Sequence, residues 1–158
     1  MKTKITLLLL LVTTTFFAQL PILGWAKGIA EFSTSNANTD NVQQMSVDAS
    51  GNVYTVGTFT GTADFNQSAA VYNLTALSKD AFVQKLDANG NFLWAFNIGS
   101  IFDDFGYSVT NDAAGNVYIT GTYKYIVDFD PSTAVNNAPT SFLDQTFIAK
   151  YKIGRAHV

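Results

Sequence analysis

The residues of this sequence best suited to chemistry are its carboxylates. Asp103 and Asp104 are adjacent, and Asp128 and Asp130 stand two apart ahead of Pro131. Two carboxyls held about 5 to 10 Å apart can cleave a glycosidic bond by acid and base catalysis. Little else is available, because residues 19–152 contain no His, Cys or Arg. A Ser nucleophile then lacks an imidazole base, thiol chemistry is absent, and zinc sites built on His or Cys cannot form. The Asp residues also have structural uses: Asp48, Asp87 and Asp112 open turns, and Asp80 and Asp144 precede strands where each can cap a loop. The expectation is no catalysis by these residues. Calcium is the sharper alternative. Asp128, Asp130 and neighbouring carbonyls are hard oxygen ligands, and Asp64 and Asn66 repeat the spacing in an earlier segment. These four are a candidate calcium site, although the remaining ligands of an EF-hand-like loop are missing and turn stabilisation beside the rigid Pro131 accounts for the same residues. No other cofactor is expected. Trp25 and Trp94 recur at matched places and can stack on sugars, but the apolar run Phe92-Leu-Trp-Ala-Phe favours packing in a core.

The chain that must position these residues has 158 residues, 47% apolar and 13% charged, with 11 Gly and 13 Phe. A soluble helical bundle needs many more Lys, Glu and Arg on its outer faces, so the composition points to an all-β chain. Residues 1–18 read as a signal peptide: Lys2 and Lys4 precede the apolar stretch Ile5 to Val12, and Ala18 offers a cut before Gln19. An apolar core of about eight residues is too short for a bilayer, which needs about 20, so export with cleavage is expected and no transmembrane segment remains. Residues 153–158, Ile-Gly-Arg-Ala-His-Val, match the translation of one frame of a common sequencing adapter (ATC GGA AGA GCA CAC GTC) and are expected to be an artefactual tail. Between the two ends, six Lys stand against twelve acids, a net charge of about −6. That balance argues against nucleic acid and anionic membrane surfaces, which are held by clustered Lys and Arg. With no Cys, an exported chain must be stabilised by a core or by stacked modules rather than by disulfides.

The sequence repeats. Asp48-Ala-Ser-Gly51-Asn52-Val53-Tyr54-Thr-Val-Gly57-Thr58 recurs 64 residues later as Asp112-Ala-Ala-Gly115-Asn116-Val117-Tyr118-Ile-Thr-Gly121-Thr122. The register holds through Asp64-Phe65-Asn66 and Asp128-Phe129-Asp130; one residue of slip later, Phe82 to Leu86 matches Phe147 to Tyr151. Upstream, Gly24-Trp25-Ala26-Lys27 resembles Leu93-Trp94-Ala95-Phe96. The copies span about 25–93 and 94–152, the second incomplete. Each reads as two β-hairpins whose Asp-x-x-Gly-Asn links suit tight turns, and no apolar residues recur at helical spacing. Four antiparallel strands per module form the blade of a β-propeller, and a 64-residue period disfavours the shorter coils of a β-solenoid. The fold expected is about two four-stranded blades of a larger propeller, since closed rings have four to eight. The loops Ser33 to Asn41 and Asn66 to Ser78 are read as varying between copies, and variable loops on a repeated scaffold commonly carry binding.

The pattern Asp-x-x-Gly-Asn-Val-Tyr-x-x-Gly-Thr, then Asp-Phe-Asn or Asp-Phe-Asp-Pro, then Asp-x-Phe-Val-x-Lys-Leu-Asp-x-x-Gly-Asn-Phe-Leu-Trp, resembles the SBBP-type bacterial β-propeller repeat, over Trp25 to Tyr151. The resemblance implies a secreted or surface protein of bacteria with no fixed ligand. The function expected is an exported binding scaffold at the cell surface or outside the cell. Its partners would be a protein or glycan ligand and the remaining blades of the parent chain. The alternative is the N-terminal part of a propeller-fold carbohydrate-active hydrolase or lyase whose catalytic residues lie in missing blades.

Overall fold

The computed structural model describes residues 21–28, 30–31 and 40–152; the expected signal peptide, the tail at 153–158 and most of the loop after Ser33 lie outside the described residues. Those described form eight strands and no helix: β1 (Ala30–Glu31), β2 (Asn41–Val47), β3 (Val53–Asp64), β4 (Asn73–Leu86), β5 (Phe92–Ile98), β6 (Phe105–Asn111), β7 (Asn116–Tyr125) and β8 (Ser141–Lys152). They make two antiparallel sheets. In the first, β2, β3, β4 and β5 pair in chain order, and the short β1 joins the outer half of β3. The second has β6, β7 and β8 in chain order. The registers repeat as the sequence does: Gly57 pairs with Phe82 as Gly121 pairs with Phe147, and Val53 with Leu86 as Val117 with Tyr151.

The turns follow from one residue type at one place. Asp112 Oδ1 accepts the amides of Ala114 and Asn116 at 3.0 and 2.9 Å, and its Oδ2 accepts Asn116 Nδ2 and the Tyr118 hydroxyl at 2.7 and 3.0 Å. Asp48 makes the same four bonds with Ser50, Asn52 and Tyr54, and Asp87 makes the first three with Asn89 and Asn91. The fourth turn residue is left-handed, with φ near 80° at Gly51, Gly90 and Gly115, where a Cβ would be strained.

Two aromatic trios mark the centres of the modules. Phe59, Phe65 and Phe82 meet at ring separations of 5.3, 6.3 and 5.1 Å, and their counterparts Tyr123, Phe129 and Phe147 at 5.6, 6.4 and 4.9 Å. Between the sheets, Tyr54, Val56, Ala81, Val83 and Ile98 form one core with Val109, Val117, Ile119 and Phe147. Gly106 lets β6 approach, since a Cβ there would stand 2.5 Å from Val56 Cγ2 and 3.0 Å from the Gly57 carbonyl oxygen. The Gln44 side-chain oxygen accepts the Val109 amide at 2.6 Å and the Ser108 hydroxyl, tying β2 to β6.

Both expected hairpins are present in the first sheet, whereas the described residues of the second sheet give one hairpin, β6–β7, and the strand β8; strands β3 and β4 run further than the sequence pattern indicates. Residues 73–78, read as loop, belong to β4. The loop at 65–72 is also not variable in form. Asp64 Oδ1 accepts the amides of Asn66 and Tyr72, Asn66 Oδ1 that of Ser68, and Ser68 Oγ that of Ala70. Asp128, Asp130 and Ser132 make the same ladder with Asp130, Asn136, Ser132 and Ala134. The ladder forms in both loops although Asn66, Gln67, Ala69 and Tyr72 are replaced by Asp130, Pro131, Thr133 and Asn136, because it joins side-chain oxygens at the first, third and fifth positions to backbone amides.

Candidate binding site at the rim

The four oxygen-ligand candidates fall on two separate loops. Asp64 and Asn66 close the loop between β3 and β4, and Asp128 and Asp130 close its equivalent between β7 and β8. Each uses one carboxylate or amide oxygen on backbone amides. Hydrogen bonds from the side chain and amide of Ser132 hold the Asp130 carboxyl below its usual range. Among the described residues, no three His, Cys, Asp or Glu side chains come together as a metal-holding group.

Asp103 and Asp104 diverge. Asp104 is fully buried: its Oδ1 accepts the Lys124 amide at 2.7 Å, its Oδ2 the Ser100 amide at 2.6 Å, and its own amide donates to the Lys79 carbonyl at 2.6 Å. It staples the linker 99–104 to both sheets. Burial raises its pKa against these bonds. Asp80 lies beside Gly99, accepts Asn97 Nδ2 at 2.6 Å, and has a second oxygen buried with no hydrogen-bond partner. Burial, with a contribution from the Asp104 charge and opposed by the Asn97 bond, raises its pKa to about 6.

The sign of the consequence is fixed by that direction. With an ordinary value of 3.8 and a folded value near 6, the native state holds the Asp80 proton more tightly than the unfolded chain. Stability is therefore full below about pH 4 and falls as pH rises through 6. Two pKa units correspond to about 3 kcal/mol. Urea unfolding at pH 4.5 and 7 is expected to give the higher midpoint at 4.5, and Asp80→Asn is expected to reduce the difference, the remainder coming from Asp104, whose pKa burial raises in the same sense. Asp112 acts in the opposite sense at lower pH. The Asn116 side chain and amide hold its pKa at about 2, so its contribution is lost only on further acidification.

Asp103 faces solvent in a different setting. It accepts Ser78 Oγ at 2.6 Å, lies 3.9 Å from Lys79 Nζ, and lines a cleft of about 370 Å³ with Phe102, Phe105, Lys124 and Asp144. Beside the cleft, Phe102, Tyr125 and Phe142 form an aromatic cluster with ring separations of 6.0, 6.5 and 5.1 Å, and Lys124 Nζ stands 5.4 Å above the Phe102 ring. Phe142 is 66% exposed, and the neighbouring Ile101 and Leu143 are exposed as well. Tyr125 holds φ at 69°, the bulge position that Gly61 fills in the first sheet with φ at 64°. A bulky residue held left-handed where the equivalent module uses glycine is a strained choice, and such positions cluster at functional sites. Here the side chain gains the contacts with Phe102 and Phe142 in return. Sequence reasoning missed this cluster. The signal for it is the replacement of Gly61 by Tyr125 in register, next to the one-residue slip that separates Lys79 from Asp144.

The two tryptophans differ in role. Trp94 packs edge-on to Tyr54 at 6.1 Å against the inter-sheet core, as the apolar run around it leads one to expect. Trp25 is 37% exposed, donates from Nε1 to the Ala88 carbonyl at 3.2 Å, and rests on Gly90. No described helix is long and apolar enough to cross a membrane.

No family profile matches the chain, and no solved structure matches it. Among curated proteins it is similar to an uncharacterized WD repeat-containing protein of Acanthamoeba polyphaga mimivirus, 31% identical over 96 residues, which is 54% of this chain and 7% of the relative. The chain thus spans a small fraction of that relative's length, and the similarity is to a repeat protein.

Proposed function

We propose that the chain is an exported β-propeller repeat scaffold whose sheets act as blades and whose rim cleft binds a protein or glycan ligand. The observation that carries this reading is the cluster Phe102–Tyr125–Phe142, built around a left-handed Tyr and set beside Asp103, Lys124 and Asp144. Exposed ring faces stack on sugar C–H surfaces or on apolar side chains, and flanking carboxylate and ammonium groups bond to hydroxyls or charged partners. Similarity to a WD repeat protein supports the scaffold reading, because WD sheets are propeller blades. The leader-like residues 1–18 support the export part of the reading.

The test is a glycan array and a peptide array probed with the whole chain, followed by Tyr125→Gly and Phe142→Ala. Each substitution is expected to lower binding of any hit at least tenfold with the fold unchanged by circular dichroism. Retained binding in both would contradict the rim assignment. A secreted product whose N terminus is Gln19 is the result expected for export; an intact Met1 inside the cell would contradict it.

A further inference from the structure

Both walls of the rim cleft are present in this chain. Ser78 comes from β4 of the first sheet, Asp103 from the linker, and Phe105, Lys124 and Asp144 from β6, β7 and β8 of the second. The cleft is the seam between two packed sheets, and its opening belongs to the packed pair. Gln145 stands opposite Tyr123 as Asp80 stands opposite Phe59, so Phe142 and Asp144 correspond to Leu77 and Lys79. With the second sheet packed on the first, Leu77 is still 77% exposed and the Lys79 side chain 33%. A further sheet stacked in the same way leaves the positions of Phe142 and Asp144 open.

The charges around the cleft cancel: carboxylates at Asp103 and Asp144, ammonium groups at Lys79 and Lys124. Neither a polyanion nor a polycation gains net attraction from such a balance. Asp103 is already engaged by Ser78 and Lys79. Among the described residues, the Asp144 side chain has no hydrogen-bond or ion-pair partner, and no carboxylate pairs with Lys124, whose Nζ covers one face of Phe102. What remains for a ligand is one free carboxylate, one ammonium group and the exposed ring of Phe142. A carboxylate accepts two hydroxyls at once, an ammonium group donates to an oxygen, and an aromatic face covers C–H bonds. A neutral pyranose supplies all three complements on one small rigid ring.

The backbone beside the cleft argues against an extended peptide, which binds a sheet by pairing with main-chain groups of a strand. In the rim part of β8, the Leu143 amide donates to Ser141 Oγ at 3.1 Å. The Leu143 and Asp144 carbonyls accept Gln145 Nε2 at 3.4 and 3.1 Å. Main-chain groups occupied by neighbouring side chains are not offered to an added strand. Recognition at this rim therefore falls to side chains, as it does for a sugar.

We propose that the rim cleft holds a neutral glycan: Asp144 accepts two adjacent hydroxyls of a pyranose, Lys124 donates to a third oxygen, and Phe142 stacks on the C–H face. The cleft of about 370 Å³ limits the contact to a short stretch of the glycan. The inference rests on the rim reading given above and narrows its ligand to one chemical class.

The whole chain, isotope-labelled for nuclear magnetic resonance, is titrated with neutral tetrasaccharides from cellulose, laminarin, mannan and galactan, with a galacturonate tetrasaccharide, and with a library of random dodecapeptides. At least one neutral tetrasaccharide is expected to shift the amide signals of Phe102, Lys124 and Asp144 saturably, and the galacturonate to leave them in place. The Kd of that neutral sugar is expected to change less than about twofold between about 20 and 500 mM NaCl, since a neutral ligand has no charge to screen. Asp144→Asn is expected to weaken it at least about tenfold, as loss of a charged acceptor does, with the free fold unchanged because that carboxylate bonds to nothing in the free chain. Neutral-sugar binding that Asp144→Asn leaves intact would overturn the proposal. So would binding of galacturonate or peptides alone; if Phe142→Ala abolished that binding, the rim reading would stand without the glycan assignment. Silence from every probe would overturn both.

Discussion

Gly57→Val is expected to be the most damaging single substitution in the first sheet. A Cβ at Gly57 would collide with the Asn41 carbonyl oxygen of β2 and come within 2.8 Å of Phe82 Cε1. The first obstacle is backbone that is itself paired in the sheet, between Val42 and Gly57, and the second is a ring with no exposed surface. Neither can swing away as the end of a flexible side chain would. Overpacking of this kind costs about 3 kcal/mol or more, because strand pairing or the aromatic trio must give. In a domain of this size that lowers the melting temperature by about 10 °C. Gly121→Val should behave alike, since its Cβ would strike the Phe105 carbonyl oxygen and approach Phe147 Cζ to 2.7 Å. A Gly57→Val protein that melts within about 2 °C of wild type would show that β2 does not lie where the structure places it.

Phe82→Ala is the second large effect. Phe82 touches Phe59 and Phe65, all three fully buried, and its loss leaves a void between partners anchored on β3 and the adjoining loop. Truncating a buried Phe costs about 3 to 5 kcal/mol, with the upper part of the range where the surroundings cannot collapse. Phe65 is held by the Asp64 ladder and its carbonyl accepts Gln84 Nε2 at 2.7 Å, so the void stays open. Denaturant unfolding monitored by near-ultraviolet circular dichroism measures this directly, and Phe82→Leu should recover more than half of the loss.

Much of the fold is legible from the sequence because its signals are local. Asp48, Asp87 and Asp112 each bond to amides two and four residues on, so the Asp-x-x-Gly-Asn spacing is the turn itself. Val53-Tyr-Thr-Val and Val117-Tyr-Ile-Thr sit in paired strands, as their β-branched and aromatic residues require. What escapes the sequence is non-local. Asn73 to Ser78 contains polar residues and reads as the end of a loop, yet the chain is strand there because Thr62 to Asp64 pair with Asn73 to Thr75 beyond the Gly61 bulge. The rim cluster is invisible for the same reason: Phe102, Tyr125 and Phe142 come from a linker and two strands, and only the left-handed turn of Tyr125 brings their rings together. Asp103 and Asp104 look like a catalytic pair as letters. Neighbouring residues of an extended chain point to opposite sides, so one faces water and the other is consumed by backbone amides.

The central claim is that one structural unit is built twice, down to individual hydrogen bonds. Residue-resolved amide exchange tests it most directly, at pairs that bond to equivalent carboxylates: Asn52 and Asn116 in the turns, Thr60 and Lys124 at the bulges, Tyr72 and Asn136 in the ladder loops. The two members of each pair are expected to exchange at rates within about tenfold of each other, and the bulge pair at least about 100-fold more slowly than free peptide. Protection of Thr60 with peptide-like exchange at Lys124, or the reverse, would contradict the equivalence of the two units.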